Sequence, residues 1–183
     1  VYKNAQFPNE KTTTNFVVEG TKFVQVGGDT STFEKSADVK VVDLKGKLTI
    51  PPFADAHIHL DYVYTANLPT HETSSGTLFE AIDNWSESKS KLTVDAIKSR
   101  AYIAIKQQIS HGVQYVRTHV DVTDPNFTAL KAMLEIKEQL KDYMEIQLVA
   151  FPQEGYYAYK GGADLVEEAL KQGADVVGGI PHF

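Results

Sequence analysis

The feature that most constrains the fold is a regular alternation of strand and helix patterns that begins after Pro51. The first strand pattern ends at His59, and the other three cover residues 113–122, 145–151 and 176–180. The helix patterns cover about 77–89, 93–110, 127–140 and 162–171. Strands that alternate with helices at this spacing predict βαβ units and a parallel sheet, which is an α/β fold. Four such strands make half of a (β/α)₈ barrel, in which ligands bind at the carboxyl ends of the strands.

The first fifty residues read differently, as short strands with little apolar surface of their own. Their strand patterns cover residues 15–18, 22–26, 39–42 and 48–50. The first two flank a Glu-Gly-Thr turn, which is the pattern of a β-hairpin, and residues 29–38 read as a loop. We therefore expect residues 1–50 to be a portion of a small β-sandwich and residues 51–183 to be the N-terminal half of the barrel.

A His-x-His pattern at the end of the first barrel strand is the strongest sign of chemistry. Alternate residues of a strand point to the same face, so the imidazoles of His57 and His59 can reach one point, where a metal ion would bind. Ala54 and Ala56 leave room around the rings. A single histidine in an apolar segment is more often a buried, hydrogen-bonded core residue, and that interpretation stays open for each ring taken alone.

The composition limits what such a site can hold. The 183 residues are 42% hydrophobic and 23% charged, as in globular proteins, and the formal net charge of −6 argues against a nucleic-acid partner. No segment has the pattern of a signal peptide or a membrane span, and a cytoplasmic location is expected. The chain has no cysteine, which excludes thiolate ligands and zinc deaminases of the Cys-x-x-Cys type. A metal here would be held by histidine and carboxylate, a set that suits Zn²⁺ or Fe²⁺.

Other polar side chains are expected at the same ends of the strands. His119 and Asp121 lie two residues apart on the second strand, and Asp61 follows the metal motif. Each can hydrogen-bond a metal-binding imidazole from outside, as such ligands commonly require, or can belong to a satisfied polar core or a turn. Gln153 follows the third strand, where a glutamine is either a substrate contact or an ordinary surface residue.

Several stretches resemble one known family. The pattern Pro-x-Phe-x-Asp-Ala-His-x-His at the start of the barrel, after a small β-region, is similar to the amidohydrolase superfamily. Further stretches resemble, within it, the barrel-type bacterial cytosine deaminases, and they cover residues 75–80, 116–122, 128–135, 149–155 and 173–183. Together they span the barrel part almost continuously, whereas the first fifty residues match only in outline.

The resemblance implies a cofactor and a reaction. It implies a (β/α)₈ metal-dependent hydrolase with one divalent ion, Fe²⁺ or Zn²⁺, bound by His57 and His59 together with a histidine and an aspartate expected beyond Phe183. In such enzymes a hydroxide formed at the ion attacks C4 of cytosine, a glutamate moves a proton to the ring, and ammonia leaves to give uracil. The groups that transfer protons are also expected beyond Phe183, so the segment 1–183 alone is predicted to be inactive.

The resemblance also assigns substrate contacts. Gln153 matches a glutamine whose amide bonds the pyrimidine O2 and the neighbouring N–H. Leu78 matches a residue whose backbone carbonyl faces the base. The complete enzyme is expected to act on a small molecule such as cytosine, in pyrimidine salvage, and to be a homo-oligomer.

Two other functions stay open. A related amidohydrolase acts on another ring C–N bond, such as that of an N-alkylated triazine. In that branch a lysine follows the metal motif within a few residues, and Asp61-Tyr62-Val63 contains none, which favours cytosine. A noncatalytic half-barrel that pairs with a second chain is the other alternative, because an incomplete barrel exposes sheet edges.

Overall fold

The structure, a computed structural model, describes residues 1–66, 68 and 76–180. Ser75 and residues 181–183, which belong to two of the stretches quoted above, lie outside the described residues. The chain divides into two compact units, Val1–Pro51 and Pro52–Phe183.

The first unit contains a four-stranded sheet. Its strands are β1 (Tyr2–Ala5), β2 (Thr14–Glu19), β3 (Lys22–Val26) and β4 (Val42–Asp43), in the order β3-β2-β1-β4. The predicted hairpin is confirmed as β2 and β3, and its turn places Gly20 at φ 60°, a conformation that favours glycine. Where a strand 48–50 was expected, Leu48 forms a single bridge to Gln6. That this sheet is part of a β-sandwich stays a prediction.

The structure differs from two further expectations for this unit. A short helix, α1 (Ser31–Glu34), lies in the segment expected to be a loop, because Asp29 accepts two hydrogen bonds from the first residue of this helix. The strand expected at 39–42 is reduced to β4. Its ladder with β1 covers only Val42 and Asp43, opposite Tyr2 and Lys3, and before it the Lys40 carbonyl accepts a single hydrogen bond from the Val1 amine.

The second unit contains a parallel sheet with helices as connections. Its strands are β5 (Phe53–Ile58), β6 (Val113–Asp121), β7 (Glu145–Phe151) and β8 (Val176–Val177), in the order β5-β6-β7-β8. Its helices are α2 (Leu78–Lys89), α3 (Val94–Ser110), α4 (Thr128–Leu140) and α5 (Gly162–Gln172). The predicted alternation of strands and helices around a parallel sheet is confirmed. Within the described residues this sheet does not close into a barrel.

Local sequence signals account for several boundaries. The Thr93 hydroxyl accepts a hydrogen bond from the Ala96 N–H at 3.2 Å and caps the start of α3, and Gly112, at φ 83°, follows its end. β8 is shorter than predicted. A Cβ at Gly178 would lie 2.7 Å from the Val149 side chain, so the chain requires glycine there and regular strand packing ends.

One face of the sheet forms the core with α3, α4 and α5. Fully buried side chains of this core include Leu60, Ile97, Ile105, Val120, Leu130, Met133, Ile136 and Leu148. The apolar residues of α4 in this core, which include Leu130, Met133 and Ile136, recur at helical spacing. Among the helices that the structure describes, none combines the length and the apolar character needed to cross a bilayer. The strand ends and the opposite face are left for polar side chains.

Candidate metal and substrate site

His57 and His59 lie where β5 ends. The strand stops at Ile58, so His57 belongs to it and His59 is the first residue after it. Pairing with β6 is irregular between Asp55 and Ile58, and the two rings nonetheless lie together, with centroids 5.3 Å apart. The two imidazoles that the sequence pairs are therefore close enough to contact one ion.

His119 on β6 adds a third ring. It stacks on His57 at a centroid distance of 4.0 Å and lies 5.5 Å from His59. Phe151, at the end of β7, contacts His59 and His119 edge-on, at 5.5 and 5.6 Å. The Nδ1 of His119 is buried without a hydrogen bond in the described part of the chain. His119 thus supports the other rings by stacking, and a hydrogen-bonding role toward them stays a prediction.

The imidazoles of His59 and His119 are partly buried, which favours their neutral form. Burial, together with the nearby His119 and His57, lowers the pKa of His59 to about 4. Burial and His57 also lower the pKa of His119 below its ordinary value. Neutral imidazole is the form that binds a metal, and the Nδ1 of His59 is buried and forms no hydrogen bond with the residues described. These nitrogens fit a divalent cation.

The histidines do not complete a metal site by themselves. In residues 1–66, 68 and 76–180, no three His, Asp or Glu side chains are arranged to hold a metal ion together. Structural and catalytic zinc sites take at least three protein ligands. An ion at His57 and His59 therefore requires ligands from other residues.

Asp61 and Asp121 are connected to each other rather than to a histidine. The Oδ2 of Asp61, which is fully buried, accepts a hydrogen bond from the Asp121 N–H at 2.8 Å, and burial raises the pKa of Asp61 to about 8. The Asp121 carboxylate accepts the Trp85 indole N–H at 2.6 Å and the Lys89 ammonium at 3.2 Å. The Asp121 carboxylate is thus satisfied, whereas the Oδ1 of Asp61 is buried without a hydrogen bond among the described residues. An orienting role of either aspartate toward the histidines stays a prediction.

A cavity of about 370 Å³ contains both predicted substrate contacts. Its lining includes Tyr62, Thr65, Leu78, Ile82, Trp85 and Gln153. Gln153 is only 5% exposed, and its Oε1 accepts no hydrogen bond from any described residue. Leu78, the first residue of α2, is 60% exposed. The volume is that of a small-molecule site, and substrate contacts by Gln153 and Leu78 stay a prediction.

Tyr62 joins this cavity to the histidines. Its ring stacks on His59 at 4.5 Å and contacts Trp85 at 4.7 Å. Burial raises the pKa of Tyr62 above its ordinary value, so the phenol stays neutral. Gln153 and Leu78 thus line a cavity that adjoins the histidine rings. A larger concavity of about 650 Å³ runs along β5, and its described lining contains none of the predicted site residues.

Two of these residues carry no sequence signal of their own. Tyr62 lies just after the metal motif, and its contacts with His59 and Trp85 follow no local sequence pattern. Lys89 reads as an ordinary lysine in the last turn of a helix. Only the fold shows that its ammonium is enclosed by carboxylates of Asp121 and Glu154. Trp85 also lines the cavity.

The comparison with known families is decisive for this chain. Residues 40–177 match the amidohydrolase family, and this range contains the three clustered histidines and Gln153. The chain belongs to the amidohydrolase family. Its fold is accordingly that of the amidohydrolases, a TIM-barrel superfamily, of which the described residues form an open parallel sheet and its helices.

Relatives within the family differ in the substrates named for them. N-isopropylammelide isopropyl amidohydrolase of Pseudomonas sp. (strain ADP) is 38% identical over 143 residues, which are 76% of this chain and 36% of that protein. 5-Methylcytosine deaminase from Klebsiella pneumoniae, liganded with 5-fluorocytosine, has a TM-score of 0.89 at 41% identity, over 99% of this chain and 43% of that one. N-isopropylammelide isopropylaminohydrolase from Burkholderia multivorans, with a TM-score of 0.80 at 24% identity over 96% of this chain and 43% of that one, shows the fold alone. This amidohydrolase chain spans less than half the length of each.

Proposed function

We propose that the complete protein is a metal-dependent amidohydrolase that deaminates a pyrimidine of the cytosine class and releases ammonia. The observation that carries the proposal is the buried Oε1 of Gln153, which has no hydrogen bond among the described residues and belongs to a ring-sized cavity that adjoins His59 through Tyr62. A carboxamide offers a donor and an acceptor side by side, which matches the adjacent C=O and ring nitrogen of cytosine. The 41% identity to a 5-methylcytosine deaminase liganded with 5-fluorocytosine supports this assignment.

In this proposal His57 and His59 hold one divalent ion, Fe²⁺ or Zn²⁺, together with ligands outside the described residues. Such an ion, when bound, supplies Lewis acidity that lowers the pKa of water from roughly 16 to about 7 and provides a nucleophile near neutral pH. His119 keeps the His57 ring in place by stacking on it. Phe151 packs against His59 and limits the access of bulk water to that side. Residues 1–183 alone are expected to turn over no substrate.

Gln153 and Leu78 orient the ring in the cavity. Gln153 donates from its amide N–H to the pyrimidine O2 and accepts from the neighbouring N–H through its free Oε1. Leu78 contributes its backbone carbonyl, as the resemblance implies. As the first residue of α2, its carbonyl also accepts the helix hydrogen bond from four residues later, so the base is bound through the second lone pair of that oxygen.

An N-alkylated triazine is the second candidate substrate. The 38% identity to the Pseudomonas N-isopropylammelide isopropyl amidohydrolase favours it. The absence of lysine from Asp61-Tyr62-Val63, directly after the metal motif, favours the pyrimidine. Both reactions break a C–N bond at a ring carbon, and they differ in whether ammonia or an alkylamine leaves.

A kinetic comparison on the complete, metal-loaded protein tests the proposal. We expect kcat/KM for cytosine or 5-methylcytosine to exceed that for N-isopropylammelide by about 100-fold or more, because a site that hydrogen-bonds one ring rejects an analogue that leaves its polar groups unpaired. The reverse order would reassign the substrate class. Absence of both turnover and bound metal would favour the noncatalytic half-barrel.

Gln153→Leu sharpens this test, because it removes the amide and keeps a similar volume. We expect it to lower kcat/KM for the pyrimidine by about 100-fold, the loss of two hydrogen bonds. Gln172→Leu is the matched control, since Gln172 bonds only the exposed Glu168 side chain at the end of α5 among the contacts described.

We further propose a cytoplasmic homo-oligomer that acts in pyrimidine salvage.

A further inference from the structure

We propose that Lys89 is a positioning residue for the ligand cavity: its ammonium ties α2, which supplies the Trp85 wall, to the strand ends that carry Gln153. The inference rests on the proposed function, because it assigns a role within the same site. Neither metal binding nor the recognition of the ring, as described above, involves Lys89.

The ammonium of Lys89 has partners at the ends of two neighbouring strands. It lies 3.2 Å from the Oδ2 of Asp121, the last residue of β6, and 2.8 Å from the Oγ1 of Thr123 just beyond it. It also bonds the carboxylate of Glu154, three residues past the end of β7. The Lys89 side chain is 12% exposed and that of Asp121 is 1% exposed. A single cation in the last turn of α2 therefore bridges the ends of β6 and β7.

The same contacts restrain two walls of the cavity. Asp121 accepts the indole N–H of Trp85 at 2.6 Å through the same Oδ2 that contacts Lys89, so both side chains of α2 meet at one oxygen. Glu154 directly follows Gln153, so its bond to Lys89 restrains the segment that carries the amide. Trp85 and Gln153 both line the cavity. Lys89 thus adds, through one ammonium, a link between the Trp85 wall and the segment that carries Gln153.

Stability alone is a weaker explanation for this arrangement. Burying charged groups costs desolvation free energy, and apolar side chains of similar volume often replace a buried ion pair without loss of stability. An apolar contact would not fix the directions of the hydrogen-bonding groups around the cavity. Lys98 offers a contrast, because its ion pair with Glu135 joins α3 to α4, and neither residue lines the cavity.

Lys89→Met in the complete, metal-loaded protein tests the inference. Methionine keeps an unbranched apolar side chain and removes the ammonium. We expect KM for cytosine to rise about tenfold while kcat changes less than about threefold, because the variant loosens the cavity without altering the metal-binding histidines. In protein labelled with 5-fluorotryptophan, we also expect a shifted ¹⁹F resonance for Trp85, assigned with Trp85→Phe. Lys98→Met, the matched control, should change neither quantity.

Glu154→Gln replaces Lys89→Met if that variant does not fold, because it removes only the negative charge of a partner that is 27% exposed, and a smaller change in the same direction is expected. An unchanged KM and an unchanged Trp85 resonance in the folded variant would overturn the role. Equal changes in Lys98→Met would also overturn it, since they would indicate general destabilisation. If the wild-type protein turns over no pyrimidine, the proposed function fails, and the positioning role is decided by the Trp85 resonance.

Discussion

Along β6, alternate residues belong to two different environments. Val116 and Val120 are buried in the core that the helices form with one face of the sheet. Arg117 and His119 lie on the other face, where they line a concavity of about 180 Å³ together with His57. The helix-covered face is apolar and closely packed, whereas the opposite face and its strand ends carry imidazole, guanidinium and amide groups.

A ligand is to be sought at the polar face and at the strand ends. Buried polar atoms of folded proteins are almost always hydrogen-bonded, so those without a partner need an explanation. Within the described residues, Asp61 and the α3 residues Arg100 and Gln108 also have such an atom, and those of His59, His119 and Gln153 lie together at the carboxyl ends of the strands. A metal ion and a polar ring would satisfy them. Stability is therefore expected to depend on one face and chemistry on the other.

The largest effect of a substitution is expected on the face of the sheet that carries His57 and His119, which we call the chemical face. His57→Ala in the complete protein should lose most of the bound metal and lower kcat/KM by at least about 1,000-fold, because the nucleophile depends on the ion. The free energy of unfolding of the metal-free protein should change by about 1 kcal/mol or less, since the His57 side chain is exposed. Metal analysis, steady-state kinetics and denaturant unfolding measure the three quantities.

His111→Ala is the control for this prediction. His111 is an exposed histidine after α3, outside the cluster of rings. Its replacement should leave both metal content and kcat/KM unchanged. Full metal content in His57→Ala, or an equal loss in His111→Ala, would break the assignment of chemistry to this face.

The next largest effect tests the helix-covered face. Leu148 is fully buried in the core, and Leu148→Ala should cost about 2–5 kcal/mol of the free energy of unfolding, because it removes apolar contacts and leaves a cavity. Metal content and kcat/KM of the folded fraction should stay within about threefold of the wild-type values. Ile103→Ala, at a position of α3 that is 53% exposed, should cost much less. If Leu148→Ala lost its metal while still folded, the two faces would not be separable.

The helix-covered face was also the easier one to predict from sequence. Its signals are local: the apolar stripe of α4, the Thr93 cap of α3 and the glycine at 112. A period of 3.6 residues and a cap need no knowledge of distant residues. The chemical face was predicted only in part. The two-residue spacing of His57 and His59 indicated a shared site, although His59 lies just outside the strand on which that argument was based.

The remaining features of the site depend on contacts between distant parts of the chain. Lys89 is separated by 32 residues from Asp121 and by 65 residues from Glu154, so neither contact has a local pattern. Asp121 illustrates the same limit. Its position two residues after His119 suggested an outer partner for an imidazole, which stays a prediction, and only the fold shows that its carboxylate accepts the Trp85 indole and the Lys89 ammonium. Strand periodicity gives the face of a residue, and the partners on that face come from the tertiary fold.

The smallest predicted effect concerns Asp124, a polar residue just after β6. It belongs with the helix-covered face, because it bonds the start of α4. Its carboxylate accepts the backbone N–H groups of Asn126 and Thr128, each at 2.9 Å, where α4 begins. Burial alone would raise the pKa of Asp124, and these hydrogen bonds lower it below the ordinary value of 3.8. Because the folded-state pKa is the lower one, the stabilisation is complete above about pH 4 and is lost as the pH falls through the folded-state pKa.

Asp124→Ala should therefore lower the free energy of unfolding by about 1 kcal/mol at neutral pH, or somewhat less because solvent screens this partly exposed carboxylate. The difference from the wild-type protein should shrink below about pH 4, as the wild-type carboxyl group takes up its proton. Asp124→Asn keeps an acceptor oxygen and should lose less. Denaturant unfolding of all three proteins across this pH range is the measurement. If Asp124→Ala instead lowered kcat/KM with stability unchanged, Asp124 would belong to the chemical face, and the division between the two faces would fail at the end of β6.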